Sequence, residues 1–114
     1  MTSDRMRRVD EAMREVLSDA VGKELKDPRV GFVTVTAVET SPDLRHARVY
    51  VSVLGEEPAR SDSIEGLRSA HGYLQGRIAS ELTLKRTPTL TFEYDDTTDR
   101  AMHIHELLER EADD

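Results

Sequence analysis

The stretch FVTVTAVETSPDLRHARVYVSV, residues 32–53, decides the fold. Its first part, Phe32 to Thr40, is rich in β-branched residues and predicts a strand, because branched side chains pack well on a pleated surface. Ser41-Pro42-Asp43 follows as a turn, since proline presets its own backbone dihedral while serine and aspartate bond nearby backbone. A second strand then runs from about Arg45 to Val53. In it Ala47, Val49, Val51 and Val53 point one way and His46, Arg48, Tyr50 and Ser52 the other. The pair is a hairpin with one packed face and one wet face.

The packed face needs a cover, and the flanking sequence supplies two helices. Upstream, Met6, Val9, Met13, Val16, Leu17, Ala20 and Val21 recur at three and four, which predicts a helix over roughly 4 to 25 with one buried stripe. Ser3 or Asp4 can cap it. On its outer face Arg7 and Glu11, and Asp10 and Arg14, are spaced four apart for ion pairing. Asp27-Pro28 ends it, because the residue before a proline is pushed out of helical geometry. Downstream, a loop from Leu54 to Ser61 leads into a helix from about Asp62 to Leu82, whose stripe is Ile64, Leu67, His71, Leu74, Ile78 and Leu82. Gly66, Gly72 and Gly76 each cost about 1 kcal/mol against alanine in a helix interior, so a bend or a close contact is expected at one of them. Pro88 opens a third strand, Thr89 to Tyr94, and a last short helix is expected to be capped near Thr98 or Asp99 and to carry Ile104, Leu107 and Leu108. The order is αββαβ with a C-terminal helix, an α+β chain.

At 114 residues and 12.9 kDa the chain is sized for one domain. Absence of cysteine removes disulfides, thiolate nucleophiles and most structural zinc sites. No stretch approaches the length of apolar sequence that spans a membrane, and no leader-like block opens the chain. The net charge of −7 and pI near 5.1 count against a uniformly basic nucleic-acid binder. Yet the charge is unevenly placed: residues 1–90 hold 14 basic and 14 acidic side chains, and residues 91–114 hold 2 and 9. A neutral body can still carry a basic face, because salt screens charges beyond about 8 Å and local clusters then outweigh the sum.

No constellation for catalysis is present. Neither a phosphate-cradling glycine loop nor a G-x-S-x-G elbow occurs. His103 and His105 are two apart, and on a helix such residues point about 200° away from each other, so no metal site is expected there. Asp95, Asp96 and Asp99 lack the spacing and glycine of a calcium loop and read as capping and turn residues. His71, on the apolar stripe, reads as a buried or half-buried histidine with a hydrogen-bond partner. A small hydrolase built on Asp95 or His103 is the weakest reading.

The other face of the second helix is more telling. Ser69, Gly72, Gly76 and Ser80 form a ridge almost without side chains, flanked by Tyr73 and within reach of Arg68 and Arg77. Such a ridge admits either a sugar–phosphate backbone or a second helix, and spacing alone leaves both open. Basic residues also cluster at Arg5, Arg7 and Arg8, at Lys23, Lys26 and Arg29, and at Lys85 and Arg86.

These segments together carry a resemblance. ELKDPRVGFVTVTAVETSPDLRHARVYVSV, LRSAHGYLQGRIASELTLKRTPTLTFEYDD and IHELL are similar to the ribosome-binding factor A family, over roughly residues 5 to 108. The most specific elements are Lys26-Asp27-Pro28-Arg29, the Ser41-x-Asp43-Leu44 turn with Ala47-x-Val49-Tyr50-Val51-Ser52, Ala70-x-Gly72, and Pro88-x-Leu90-x-Phe92. The resemblance implies a type II KH-like domain, α-β-β-α(kink)α-β, with a three-stranded sheet covered by helices on one face. In it Ala70-His71-Gly72 replaces the usual G-x-x-G loop and breaks the long helix in two. It also implies a monomeric, cytoplasmic, non-catalytic assembly factor for the immature 30S subunit, binding 16S rRNA, supporting late processing near the 16S 5′ end and mattering most in the cold. No cofactor, small-molecule substrate or membrane is implied. Arg5, Arg7, Arg8, Arg68, Ser69, Ala70, His71, Gly72, Gly76, Arg77, Lys85 and Arg86 are the expected RNA-binding residues, within a single domain over 1–108 followed by an acidic tail over 109–114. The alternative is a protein-interaction module that uses the open sheet face or that tail.

Overall fold

A computed structural model describes residues 4–96. The expected C-terminal helix, with its His103 and His105, and the acidic tail lie outside the described residues. Six elements follow in order: α1 (Asp4–Lys23), β1 (Val33–Thr40), β2 (His46–Val53), α2 (Ala59–Ser69), α3 (His71–Glu81) and β3 (Thr89–Tyr94). The sheet has the order β1-β2-β3, with β1 antiparallel to β2 and β2 parallel to β3. Antiparallel neighbours can share a tight turn, whereas the parallel pair needs a long crossover, and α2 with α3 supplies it.

In β2 and β3 the strand phase is as the alternation predicts. Val35, Val38, Ala47, Val49, Val51, Val53, Leu90 and Phe92 are buried beneath the helices. A bulge at Thr36 shifts the register between Val35 and Ala37, and the Thr36 hydroxyl donates to Asp95 Oδ2 at 2.7 Å. That shift is why Val35 and Val38, three apart, both face the core. At the turn the Ser41 hydroxyl donates to Asp43 Oδ1 at 2.6 Å, the Arg45 amide donates to the same oxygen at 3.0 Å, and Leu44 takes a left-handed φ of 60°.

In α1 the stripe holds, with Met13, Leu17, Ala20 and Val21 buried. The expected pairs on its outer face do not form. Arg7 binds Asp4, and Arg14 binds Glu11 through Nε at 2.9 Å, because Asp10 turns to the sheet, where its Oδ1 accepts the Thr40 amide at 3.0 Å. A carboxylate that meets a strand-end N–H satisfies a group an exposed ion pair would leave open.

The second helix departs more. It starts at Ala59, three residues before the expected Asp62, and it is two helices that meet at Ala70. Ala70 has φ −91° and ψ 7°, and its amide is shared between the Gly66 and Leu67 carbonyls at 3.1 Å each. The break changes the phase of the stripe: Ile64, Leu67, Leu74 and Ile78 are buried and Ala70 is half-buried, while His71 is exposed. The expectation that His71 lies on the apolar stripe is therefore corrected. In an unbroken helix it would share a face with Leu67 and Leu74; across the break Ala70 takes that place.

Candidate nucleic-acid interface

The kink is held from outside by the segment joining α1 to β1. Buried Ser63 accepts the Gly31 amide at 3.2 Å and donates to the Arg29 carbonyl at 3.4 Å. Arg29 reaches Ser69 Oγ at 3.0 Å and Asp27 Oδ2 at 2.7 Å, with Glu65 at 3.6 Å. The Arg29 side chain and its amide together pull the Asp27 carboxyl down to about 2. Gly66 is the glycine of close contact: a Cβ there would lie 2.6 Å from Val30 Cγ2. Lys26-Asp27-Pro28-Arg29 thus acts as a strap over the end of α2, a role its residue types did not announce.

Beyond the strap the ridge is bare. Ser69, Gly72, Gly76 and Ser80 are all exposed, and a Cβ at Gly72 or Gly76 would meet nothing within 4 Å. Among the described residues no helix packs on it, so the ridge faces outward. The break falls on Ala70, and Gly72 already lies inside α3.

The expected cations separate into two groups. Arg77 is clamped, with Nη1 2.8 Å from Glu81 Oε1 and Nε 3.1 Å from Glu24 Oε2. Both carboxylates, Glu81 foremost, hold its guanidinium more firmly protonated. Tyr73 donates its hydroxyl to Glu24 Oε1 at 2.6 Å, a bond that raises its pKa. These contacts join α1 to α3 and leave Arg77 no charge to spare. Arg7 is likewise bound to Asp4.

Arg5, Arg8, Lys26, Arg68, Lys85 and Arg86 share no ion pair with another described residue. Arg68 lines both parts of a groove between α2 and the β3 edge, of about 730 and 380 Å³. In the smaller part it stands with His71, Thr89, Thr91 and Glu93 above a floor of Leu90 and Phe92. His71 Nδ1 lies 2.8 Å from the Arg68 carbonyl, which can only accept, so that nitrogen carries a proton. Lys85 and Arg86 sit on the loop into β3, and the Gln75 side chain anchors that loop by donating to the Pro88 carbonyl at 2.9 Å. The larger part is lined by Glu57, Glu65 and Glu93 against Arg60 and Arg68, so the carboxylates thin out toward the kink, where Glu93 alone accompanies Arg68. Arg5 and Arg8 lie elsewhere, in the first turns of α1 and outside the lining of that groove. The Thr89 and Thr91 hydroxyls were not foreseen as groove residues; their place on the polar phase of β3 was the available signal.

Among the described residues no group of three His, Asp or Glu side chains is placed to hold a metal ion, and no helix is long and apolar enough to cross a membrane.

Residues 5–108 match the family model described as Ribosome-binding factor A. A ribosome-binding factor A of Halothermothrix orenii is 44% identical over 110 residues, 96% of this chain and 90% of that one. The Natranaerobius thermophilus protein of the same name is 39% identical over 96% of this chain and 84% of its own. The crystal structure of ribosome-binding factor A from Thermus thermophilus superposes with a TM-score of 0.70 at 27% identity, covering 78% of this chain and 94% of that one. A homology model of the Thermus thermophilus protein, fitted into a cryo-EM map of a 30S complex, superposes at 0.63 with 28% identity over 75% of this chain and 90% of that one. With its α+β, KH-like architecture and a match over nearly its whole length, this chain belongs to the ribosome-binding factor A family.

Proposed function

We propose that this chain binds the immature 30S ribosomal subunit at 16S rRNA and, without catalysing a reaction, supports its late maturation, including processing near the 16S 5′ end and growth in the cold. One observation carries the proposal: the cations are sorted. Arg77, Arg7, Arg14, Arg45 and Arg48 are bound to carboxylates, while Arg68, which lines the β3 groove, and Lys85 and Arg86, on the loop that leads into β3, share no ion pair with another described residue. Arginines and lysines without an ion pair to a described residue suit phosphates, whose neutralisation releases counterions. The Thr89, Thr91 and His71 side chains add hydrogen-bonding groups along the same edge. The fitted 30S complex of the Thermus relative supports the same target. Arg5 and Arg8 add positive charge at a second place, and the reading does not need Arg77.

Co-sedimentation with purified 30S subunits across a salt series tests the reading. Affinity is expected to fall steeply with salt, and ribonuclease is expected to release the protein. Affinity unchanged between low and high salt, or a complex that survives ribonuclease, would overturn it. Chemical footprinting of 16S rRNA with and without the protein then locates the contact.

A further inference from the structure

The open face of the sheet differs in chemistry from the groove. The β1–β2 ladder that pairs Val33 with Val53 continues one step, the Leu54 amide donating to the Phe32 carbonyl at 3.0 Å. By strand alternation the side chains of Phe32 and Leu54 leave the core side that Val33 and Val53 occupy and stand beside Thr34 and Ser52 on the open face. Phe32 is 81% exposed and Leu54 76%. A large aromatic and a leucine side by side in water are costly unless something covers them, and an aromatic anchor within a polar rim is the usual centre of a protein interface.

The charge around this pair decides what the cover is. Farther along the same face Glu93 stands opposite Tyr50, and Glu39 opposite Arg48, whose guanidinium is engaged by Glu93 at 3.7 Å and by the Tyr50 hydroxyl at 3.2 Å. Asp95 pairs with the same face through Thr36, and Glu56 and Glu57 follow Leu54 directly. No unpaired arginine or lysine lies on the open-face strand positions of β1, β2 or β3 apart from the turn residues at their ends. With Glu39, Glu93 and Asp95 against Arg48, this face is negative in sum and suits a cationic chain that lies along it from the apolar pair.

We infer that the open sheet face docks a lysine- and arginine-rich protein segment carrying an apolar side chain, seated on Phe32 and Leu54. The inference rests on the proposed 30S binding only for its setting, a particle whose proteins offer such segments; the surface itself is argued from this chain.

Two measurements test it. First, the full chain with a benzoylphenylalanine photoprobe in place of Phe32 is bound to purified 30S subunits, co-sedimentation is measured, and the complex is irradiated. The expected product is a protease-sensitive adduct to a Lys/Arg-rich segment of a small-subunit protein. An adduct to RNA, or none while the chain co-sediments, overturns the inference; failure of the unmodified chain to co-sediment counts against the 30S reading instead. Second, independent of the subunit, a short synthetic Lys/Arg-rich peptide with one leucine is titrated into the isotope-labelled full chain. Amide shifts are expected at Phe32, Thr34, Arg48 and Leu54, with affinity falling about tenfold in Phe32→Ser/Leu54→Ser, the loss of one good anchor. Absence of those shifts, or equal binding by the variant, overturns it.

Discussion

Arg77 and Arg68 lie on adjoining helices, nine positions apart in the chain, and the seam around one contrasts with the groove around the other. In the α1–α3 seam Arg77 meets two carboxylates and shares one of them with Tyr73. In the α2–β3 groove Arg68 stands with His71, two threonines, an apolar floor and Glu93, which is engaged by Arg48, and it has no ion pair to a described residue. The contrast teaches that a cation's usefulness to a polyanion depends on whether the fold has already neutralised it. A strand edge with alternating hydroxyls leaves charge available; a helix–helix seam lined by glutamates consumes it.

The largest expected effect removes the floor that supports the groove. Phe92 is 1% exposed, and Phe92→Ala should cost about 3–5 kcal/mol by loss of burial and cavity formation, read by chemical denaturation. A loss below about 1 kcal/mol would mean that the groove does not rest on the core.

Arg68→Glu with Arg86→Glu should lower 30S affinity roughly 10- to 100-fold at low salt and flatten its salt dependence by about one unit for each phosphate that is no longer neutralised. Arg77→Gln should leave affinity and salt slope nearly unchanged and reduce thermal stability slightly. Equal binding losses from the two variants would erase the distinction between seam and groove.

The helical glycines sharpen it at a smaller scale. Gly72→Ala and Gly76→Ala add a Cβ into open space, so each should stabilise the protein by up to about 1 kcal/mol while weakening subunit binding where the ridge admits backbone. Gly66→Ala should instead destabilise by about 1–2 kcal/mol, because Val30 must move. Thermal unfolding of the three variants reads the signs.

The smallest effect concerns the strap. Asp27 has its carboxyl lowered from 3.8 to about 2 by Arg29, so its contribution is fully present above pH 4 and fades as pH falls toward 2. Asp27→Asn should flatten the stability profile between those values and leave it parallel to wild type at neutral pH. A profile unchanged in the acid range would separate Asp27 from Arg29.

The hairpin and α1 were legible because each buries one face, and burial imposes a period of two or 3.6 on the chain. Ala47, Val49, Val51 and Val53 sit where alternation places them, and so do Met13, Leu17, Ala20 and Val21. The kink was legible only through the family resemblance: nothing in the stripe Ile64 to Leu82 marks Ala70, and periodicity alone placed His71 in the core. The break is stabilised by contacts from residues 27–31, 40 positions away in the case of Arg29 and Ser69, and a local pattern cannot report them. In the same way Asp10 left its helix partner for the Thr40 amide, 30 residues distant.

By itself, then, the sequence determined the buried faces of α1 and of β2 and the family to which the chain is similar, since those follow from periodicity and motif. It also supplied the candidate cations. Which of them meet a carboxylate among the described residues only the tertiary structure decided, because an ion pair depends on separation in space, and Glu24 meets Arg77 across 53 positions of chain. The same holds for Phe32 and Leu54, each an ordinary hydrophobic residue in the string, which become one exposed patch only when the hairpin brings them together.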